Sequence, residues 1–551
     1  MTSQQHIKTD TGTDFDAIVV GAGFSGLYML HRLREAGIST CVYEAGDNVG
    51  GTWYWNRYPG LRCDSESIYY NYTFSKEIYQ EWTWSSRYAA QPEILRYLNF
   101  VADKLELRKD IQFNTRIVSA HYNEQKNRWE MKTDNGENVT AKYFIPGLGC
   151  LSAANVPNLK GIDTFKGECY HSGRWPRDRE VDFKGKRVGI IGTGSTGIQM
   201  IPFIAKRASH LTVFQRTPQY VIPARNRPLD TADIENVKEN FEDISRKMRY
   251  ESDGGVIFNI NHRKALDDTP EQRQKFYEQL WEKGGTGFLA EGYSDLLTNE
   301  EANETAAEFV RSKIRQVVND PKVAEKLMPT YPIGTKRIII DTNYYDTYNR
   351  DNVTLVDVNS DPIEEITPSG VRTNNGEYEL DILVFATGYD AMTGPLMRID
   401  IRGKEGISLK EKWEGGAQVS TYLGLTVPGF PNMFTITGPQ SPSVLGNVPS
   451  MIEQHVEWIS NCIEKLCKQG VETIEATEEA AESWSKHCSE LASYTLIPKT
   501  DSWWTGSNVD GKPRAFLIYI GGLQAYRQKC DEVTEKNFEG FIMTPSAKTV
   551  V

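Results

Sequence analysis

FDAIVVGAGFSGLYML, residues 15–30, joins a short apolar run to a glycine-rich turn and then to apolar residues at helical spacing. FDAIVV is rich in β-branched residues and reads as a buried parallel strand. GAGFSG (21–26) follows at once, and Leu27, Leu30 and Leu33 continue a helix that Gly37 stops. ISTCVYE (38–44) supplies a second strand, so this region predicts a βαβ unit. In a GxGxxG turn, Gly21 permits the sharp bend, Gly23 lets backbone approach a pyrophosphate, and Gly26 lets helix pack on strand. The phosphates then meet a helix N-terminus, where free N–H groups and the helix dipole favour negative charge.

A second copy stands in GKRVGIIGTGSTG (185–197), with Gly192, Gly194 and Gly197 as its glycines and Thr193, Ser195 and Thr196 between them. LTVFQRT (211–217) is its next strand. Each copy lies between a predicted strand and a helix, the context a dinucleotide fingerprint requires. The copies differ where ribose chemistry is decided. Glu44 can accept hydrogen bonds from a free 2′-hydroxyl, as the adenosine of FAD or NAD presents. Arg216, followed by Thr217, instead suits a 2′-phosphate. One site for FAD and one for NADPH imply hydride transfer from nicotinamide to flavin, hence a flavoenzyme.

With 551 residues the chain is too long for one ordinary core, and two or three domains are expected. Hydrophobic residues at 39% and charged residues at 25% make disorder and disulfide scaffolds poor readings. A net charge of −12 without a basic stripe argues against a nucleic-acid partner. The eight cysteines show no zinc-type pairing and read as reduced thiols, which fits a cytoplasmic protein. Neither a signal sequence nor a run of 18 apolar residues occurs, so no membrane association is expected. The polar ends, MTSQQHIKTDTGTD and SAKTVV, are expected to be disordered.

YFIPGLG (143–149) and LDILVFATGYD (380–390) are apolar runs ending in glycine, where the chain would pass a bound cofactor between domains. From 225 to 330 the texture turns charged and helical. The expected fold is α/β: two Rossmann-like dinucleotide-binding domains, for FAD and NADP, with a helical insertion. The FAD domain would comprise 1–151 and 390–551, the NADP domain 152–224 and 331–389, and the helical subdomain 225–330.

Residues 49–64, VGGTWYWNRYPGLRCD, are dense in aromatics, and their glycines and Pro59 point to a loop rather than a helix. A reduced flavin has two outlets. A thiol pair is one, but only Cys63 lies in this loop, while Cys462 and Cys467 do not share a helix face. Oxygen is the other: a flavin peroxide survives only where water is kept out, and Trp53, Tyr54, Trp55 and Tyr58 would wall such a site.

From about residue 14 to 543 the chain resembles the Baeyer–Villiger monooxygenases, FAD- and NADPH-dependent enzymes that insert oxygen beside a ketone. GGxWxxxxYPGxxxD is carried by Gly50, Gly51, Trp53, Tyr58, Pro59, Gly60 and Asp64, and FxGxxxHxxxWP by Phe165, Gly167, His171, Trp175 and Pro176. YPGLRCDSESI, RDNVTLVD and SWWTGSNVDGKPR look like the phenylacetone and steroid monooxygenase branch. The resemblance implies that Asp64 and Arg337, in GTKRIII, form the catalytic pair at the flavin. It adds Gly51, Thr52, Trp53 and Tyr70 to the FAD site. Lys336 would join Arg216 on the 2′-phosphate, and Trp503 would reach the nicotinamide nucleotide from a mobile loop. His171 and Trp175 would act in a domain linker, not in catalysis. TGPQSPSVLGNVPSMIEQH (437–455) matches a substrate-lining loop, with Ser441, Val444 and Leu445 as wall residues and Cys150 and Leu151 facing them.

The resulting expectation is a ketone plus O2 yielding an ester or lactone through a flavin peroxide, in a monomer or weak homo-oligomer, with no metal. An enzyme oxygenating nitrogen or sulfur shares both glycine motifs, but its protonated peroxide would not need Arg337 and Asp64. A nucleotide-binding flavin sensor is the reading outside catalysis. Residue spacing does not select the ketone.

Overall fold

The run FDAIVV forms the strand Phe15–Val20, buried over its last four residues, in a computed structural model that describes residues 13–341, 343–509 and 511–546. The two expected disordered ends lie largely outside the described residues, beyond 13 and 546. The helix Phe24–Glu35 follows the glycine turn, and Gly37, at φ +73°, takes the left-handed conformation that turns the chain into strand Thr40–Tyr43. That strand pairs in parallel with the first, Ala17 opposite Thr40. Asn138–Pro146, which ends the run YFIP, flanks Phe15–Val20 in parallel on its other side.

The full sheet has seven strands in the spatial order Asp400–Arg402, Ile117–Asn123, Arg128–Thr133, Asn138–Pro146, Phe15–Val20, Thr40–Tyr43 and Ile111–Gln112. The strands from 117 to 146 pair antiparallel and extend the doubly wound part into a mixed sheet. A long helix, Val448–Lys468, packs its buried face against Phe24–Glu35.

The second fingerprint builds the same unit from Arg187–Ile191, the helix Ser195–Ala205 and His210–Gln215. Its sheet is five parallel strands in the order Val353–Asp357, His210–Gln215, Arg187–Ile191, Ile382–Phe385 and Glu168–His171. The two units repeat one detail of packing. A β-carbon on Gly21 would lie 2.8 Å from the carbonyl oxygen of Gly147, and one on Gly192 would lie 2.5 Å from that of Ala386. In each sheet the neighbouring apolar strand therefore leaves directly over the first glycine of the fingerprint.

Between 225 and 330 the chain is helical, with Pro270–Lys283 and Glu300–Val317 as its longest elements. Tyr277, Trp281, Phe288 and Phe309 form its own apolar core. The short parallel pair Val221–Ile222 and Ile339–Ile340 joins its two ends. The expectation of a loop without helix at 49–64 is corrected at one turn. Thr52–Trp55 winds into an α-helix because the amides of Tyr54 and Trp55 donate to Gly51 and that of Asn56 to Thr52. Gly51, at φ +51°, starts the turn, and Asn56 leaves it extended before Pro59.

Among the described residues no helix is long and apolar enough to cross a membrane, and no cluster of His, Cys, Asp or Glu could hold a metal. All eight cysteines are free; Cys462 is buried and Cys467 exposed, on different faces of Val448–Lys468.

Candidate active site

The glycine positions carry the sterics that the fingerprint demands. A β-carbon on Gly26 would stand 1.8 Å from the Gly21 carbonyl oxygen, and one on Gly197 would stand 2.1 Å from that of Gly192, so neither helix could seat on its strand with a side chain there. A β-carbon on Gly23 would lie 3.2 Å from the Gly51 Cα, which puts the aromatic segment against the first glycine turn. In front of Gly194 nothing lies within 4 Å, and Gly194 and Ser195 are exposed at the start of their helix. That open N-terminus is the geometry a pyrophosphate requires.

Glu44 lies just past Thr40–Tyr43, buried, and accepts from the amides of Ala22 at 2.8 Å and Gly46 at 2.7 Å. It thus braces the glycine turn while keeping lone pairs for a ribose, since a carboxylate has about four acceptor sites. In the second site His210–Gln215 ends one residue before Arg216, and the Thr193 hydroxyl donates to the Thr217 carbonyl at 3.1 Å. Lys336 converges on the same place. Burial lowers its pKa, and the nearby Arg216 lowers it further, against an opposing pull from Asp501. Among the described residues neither cation has a carboxylate in salt-bridge contact. Two cations gathered without a carboxylate in direct contact fit a phosphate dianion.

Asp64 and Arg337 meet from positions 273 residues apart. The segment before Asp64 is tied down by backbone bonds from Cys63 to Ala89 and from Gln91 to Leu61, each 3.0 Å. Arg337 leaves the Pro332–Thr335 turn and leads into Ile339–Ile340. Its Nε donates to Asp64 Oδ2 at 2.6 Å and its Nη2 to Oδ1 at 2.9 Å, a two-pronged pair with both side chains about a quarter exposed. Nη1 donates to the Val444 carbonyl, which joins the pair to the 437–447 loop. Burial works to raise the Asp64 carboxyl, but the guanidinium outweighs it and holds the acid below its usual range. Arg337 remains charged, raised by Asp64 against burial.

Cys63, Tyr70 and Trp53 are buried beside this pair, with Trp53 Nε1 donating to the Tyr70 hydroxyl at 3.1 Å. Burial pushes the Cys150 thiol up to about 11, against a lowering field from Arg337. The site is therefore a fixed cation and carboxylate at an apolar, aromatic floor.

A family description, flavin-binding monooxygenase-like, matches residues 16–231. The chain is 46% identical over 549 residues to a Baeyer–Villiger monooxygenase of Pseudooceanicola batsensis, covering 99% of each. The chain belongs to the Baeyer–Villiger monooxygenases. It is also 44% identical to a cyclohexanone 1,2-monooxygenase of Acinetobacter sp, over 96% of each chain. A solved structure of OTEMO in complex with FAD and NADP superposes with a TM-score of 0.93, at 43% identity, covering 97% of this chain and 100% of that one.

In this Baeyer–Villiger monooxygenase the histidine signature lies on the edge strand of the five-stranded sheet. His171 ends Glu168–His171; its Nδ1 accepts from the Gly173 amide at 3.0 Å, so the proton sits on Nε2, 3.2 Å from the Asn155 carbonyl. Burial keeps the ring neutral, and it contacts no member of the Asp64 pair. Trp175 is buried against Tyr170, ring centroids 5.3 Å apart.

Not every expected wall residue comes together. Val444 joins the apolar cluster against which Cys150 and Leu151 pack. Ser441 is fully buried, with its hydroxyl donating to Gly438 at 2.7 Å, so it serves its own turn. Leu445 is 40% exposed. Of the three expected wall residues, Val444 packs with Cys150 and Leu151, while the turn at 438–441 holds the Ser441 side chain. Trp503 is half-buried, its ring 5.9 Å from that of Trp504, and its segment is hooked to the Arg337 segment by the buried Thr335–Thr500 hydroxyl contact of 2.7 Å.

The sequence reading missed three residues that hold the aromatic segment. Arg177, just past the WP pair, stacks over Tyr54 at 4.2 Å and Trp55 at 4.1 Å. Tyr389 hydrogen-bonds Asn56. Gln199, in Ser195–Ala205, bonds the Tyr58 hydroxyl at 3.2 Å. The only signal for them lay in their nearness to motif glycines, and side-chain partners from another domain have no sequence spacing to read.

Proposed function

We propose that the protein is an FAD- and NADPH-dependent Baeyer–Villiger monooxygenase that inserts one atom of O2 beside the carbonyl of a ketone, giving an ester or lactone. When bound, NADPH-reduced FAD supplies oxygen activation. The rest is the work of side chains. Arg337, a cation that cannot give up its proton, stabilises negative charge on the reacting oxygens and on the carbonyl oxygen of the ketone. Asp64 fixes the guanidinium by two hydrogen bonds, so no reorganisation is needed when charge develops. Trp53, Tyr70 and Cys63 keep water from this face.

Gly21, Gly23, Gly26, Glu44, Gly51, Thr52, Trp53, Asp64 and Tyr70 form the FAD site in this reading. Gly192, Thr193, Gly194, Ser195, Thr196, Gly197, Arg216, Thr217, Lys336 and Trp503 form the NADP site. Cys150, Leu151, Ser441, Val444 and Leu445 border the ketone in this reading. The chain divides into an FAD domain (1–151, 390–551), an NADP domain (152–224, 331–389) and a helical subdomain (225–330).

The observation that carries this reading is the two-pronged Asp64–Arg337 pair beside two cradles with opposite ribose chemistry. An oxygenase of amines or sulfides has no need of a permanent cation there. The test is product analysis of the FAD-loaded enzyme with NADPH and O2, offered phenylacetone, a bulky cyclic ketone, a tertiary amine or a sulfide. Ester or lactone from ketones, matched to NADPH consumed, supports the proposal; N- or S-oxide alone, or hydrogen peroxide alone, overturns it.

A further inference from the structure

Gln199 lies in the second turn of Ser195–Ala205, whose N-terminus is the open second cradle. Its amide is almost wholly buried and both of its ends are used on one segment of the other sheet's domain. Oε1 accepts from the Tyr58 hydroxyl at 3.2 Å and from the Arg62 amide at 3.5 Å, while Nε2 donates to the Arg62 carbonyl at 3.1 Å. Gly60 lies between those partners at φ +86°, and a β-carbon there would fall 2.4 Å from the Gln199 carbonyl oxygen. Backbone thus touches backbone, and the side-chain amide clasps the same loop. The Tyr58 hydroxyl also has the Thr196 side chain of the fingerprint beside it. Two residues after Arg62 comes Asp64, the carboxylate that aims Arg337.

We propose that Gln199 is a positioning residue that carries occupancy of the NADP cradle to the Asp64–Arg337 pair. This rests on the monooxygenase reading above. The physical basis is short and contiguous: helix, buried amide, loop 58–62, carboxylate. A small displacement of the helix on binding a dinucleotide cannot be absorbed at Gly60, where no side chain intervenes, so the loop moves with it. A residue that only glued the domains together would not need to place its donor and its acceptor on the segment that bears the acid. Coupling free energies of this kind correspond to about a five- to hundredfold effect.

The experiment is hydrogen exchange on the FAD-loaded enzyme with and without NADP+, comparing peptides covering 192–205 and 57–66 in the parent, Gln199→Met and Tyr58→Phe. Gln199→Met keeps the length of the side chain and removes both hydrogen-bonding ends; Tyr58→Phe removes one partner and guards against a misfolded first variant. In the parent, NADP+ is expected to slow exchange in both peptides. In the variants, protection of 192–205 persists while that of 57–66 falls about tenfold. In turnover the same variants are expected to divert NADPH to hydrogen peroxide with little change in KM for NADPH, a split that loss of stability alone does not produce. Protection of 57–66 that is absent in the parent, or equal in parent and variants, overturns the proposal. Absence of NADP+ protection at 192–205 in the parent would instead overturn the assignment of that cradle.

Discussion

Arg337 suits its place because a guanidinium holds its charge at any working pH and its planar fork matches a carboxylate. Arg337→Ala is expected to leave flavin reduction by NADPH within about twofold, but to lower ester formation by at least a hundredfold, as loss of a charge-stabilising donor does elsewhere. Separate anaerobic-reduction and product assays check this. Asp64 contributes to stability as well. Its folded pKa lies below the unfolded value, so the contribution is present above the ordinary carboxylate range and is lost as pH falls through the lowered pKa. Asp64→Asn is therefore expected to lower the melting temperature at pH 7 and to flatten its decline between pH 5 and pH 3, as read by thermal melts across that range.

At the scale of elements, the two fingerprint helices make a steric prediction that separates folding from function. Gly197→Ala places a methyl against the Gly192 carbonyl and is expected to destabilise the second unit. Gly194→Ala meets open space and has no left-handed backbone to strain, so its melting temperature should match the parent. Its KM for NADPH should rise about tenfold or more if a pyrophosphate closes on that glycine. The long helix Val448–Lys468 carries a different cost. Glu453 is fully buried, accepts from the amides of Thr73 at 2.6 Å and Phe74 at 3.0 Å, and faces Arg249 and Glu457. Burial pushes its carboxyl up to about 7 despite Arg249. A carboxyl raised by folding favours the protonated state, so this site loses stability as pH climbs from about 4.5 toward 7. Glu453→Gln should remove that slope and melt above the parent at pH 8.

Across the whole molecule the aromatic segment 49–64 proves to be a joint. Trp53 serves the floor beside Arg337, Tyr58 and Gly60 rest on the helix Ser195–Ala205, and Tyr54 and Trp55 hold Arg177, just past the WP pair. Stacked cations of this kind contribute about 1–2 kcal/mol when desolvated. Arg177→Ala is expected to lower stability by that order and to open the 177–186 segment to limited proteolysis, while Arg177→Lys, which keeps charge without the planar stack, recovers only part.

Much of the fold was legible because it is local. A strand, a GxGxxG turn, a helix and a second strand occupy about thirty consecutive residues, and β-branched runs, leucine spacing and Gly37 declare them by backbone sterics alone. The strand-end positions of Glu44 and Arg216, on which the proposed ribose preferences rest, were readable for the same reason. The antiparallel strands Ile117–Asn123 and Arg128–Thr133 went unread, because short alternating segments resemble ordinary surface sequence. Asp64 and Arg337 were named through family resemblance, but their two-pronged geometry, the Val444 carbonyl on Nη1 and the clasp of Gln199 on Arg62 join residues more than a hundred positions apart. Residue types and spacing thus determined two strand–turn–helix units with a GxGxxG turn in each. Only the tertiary structure decided which side chains meet between them, because the relative placement of two domains depends on contacts whose partners share no periodicity along the chain.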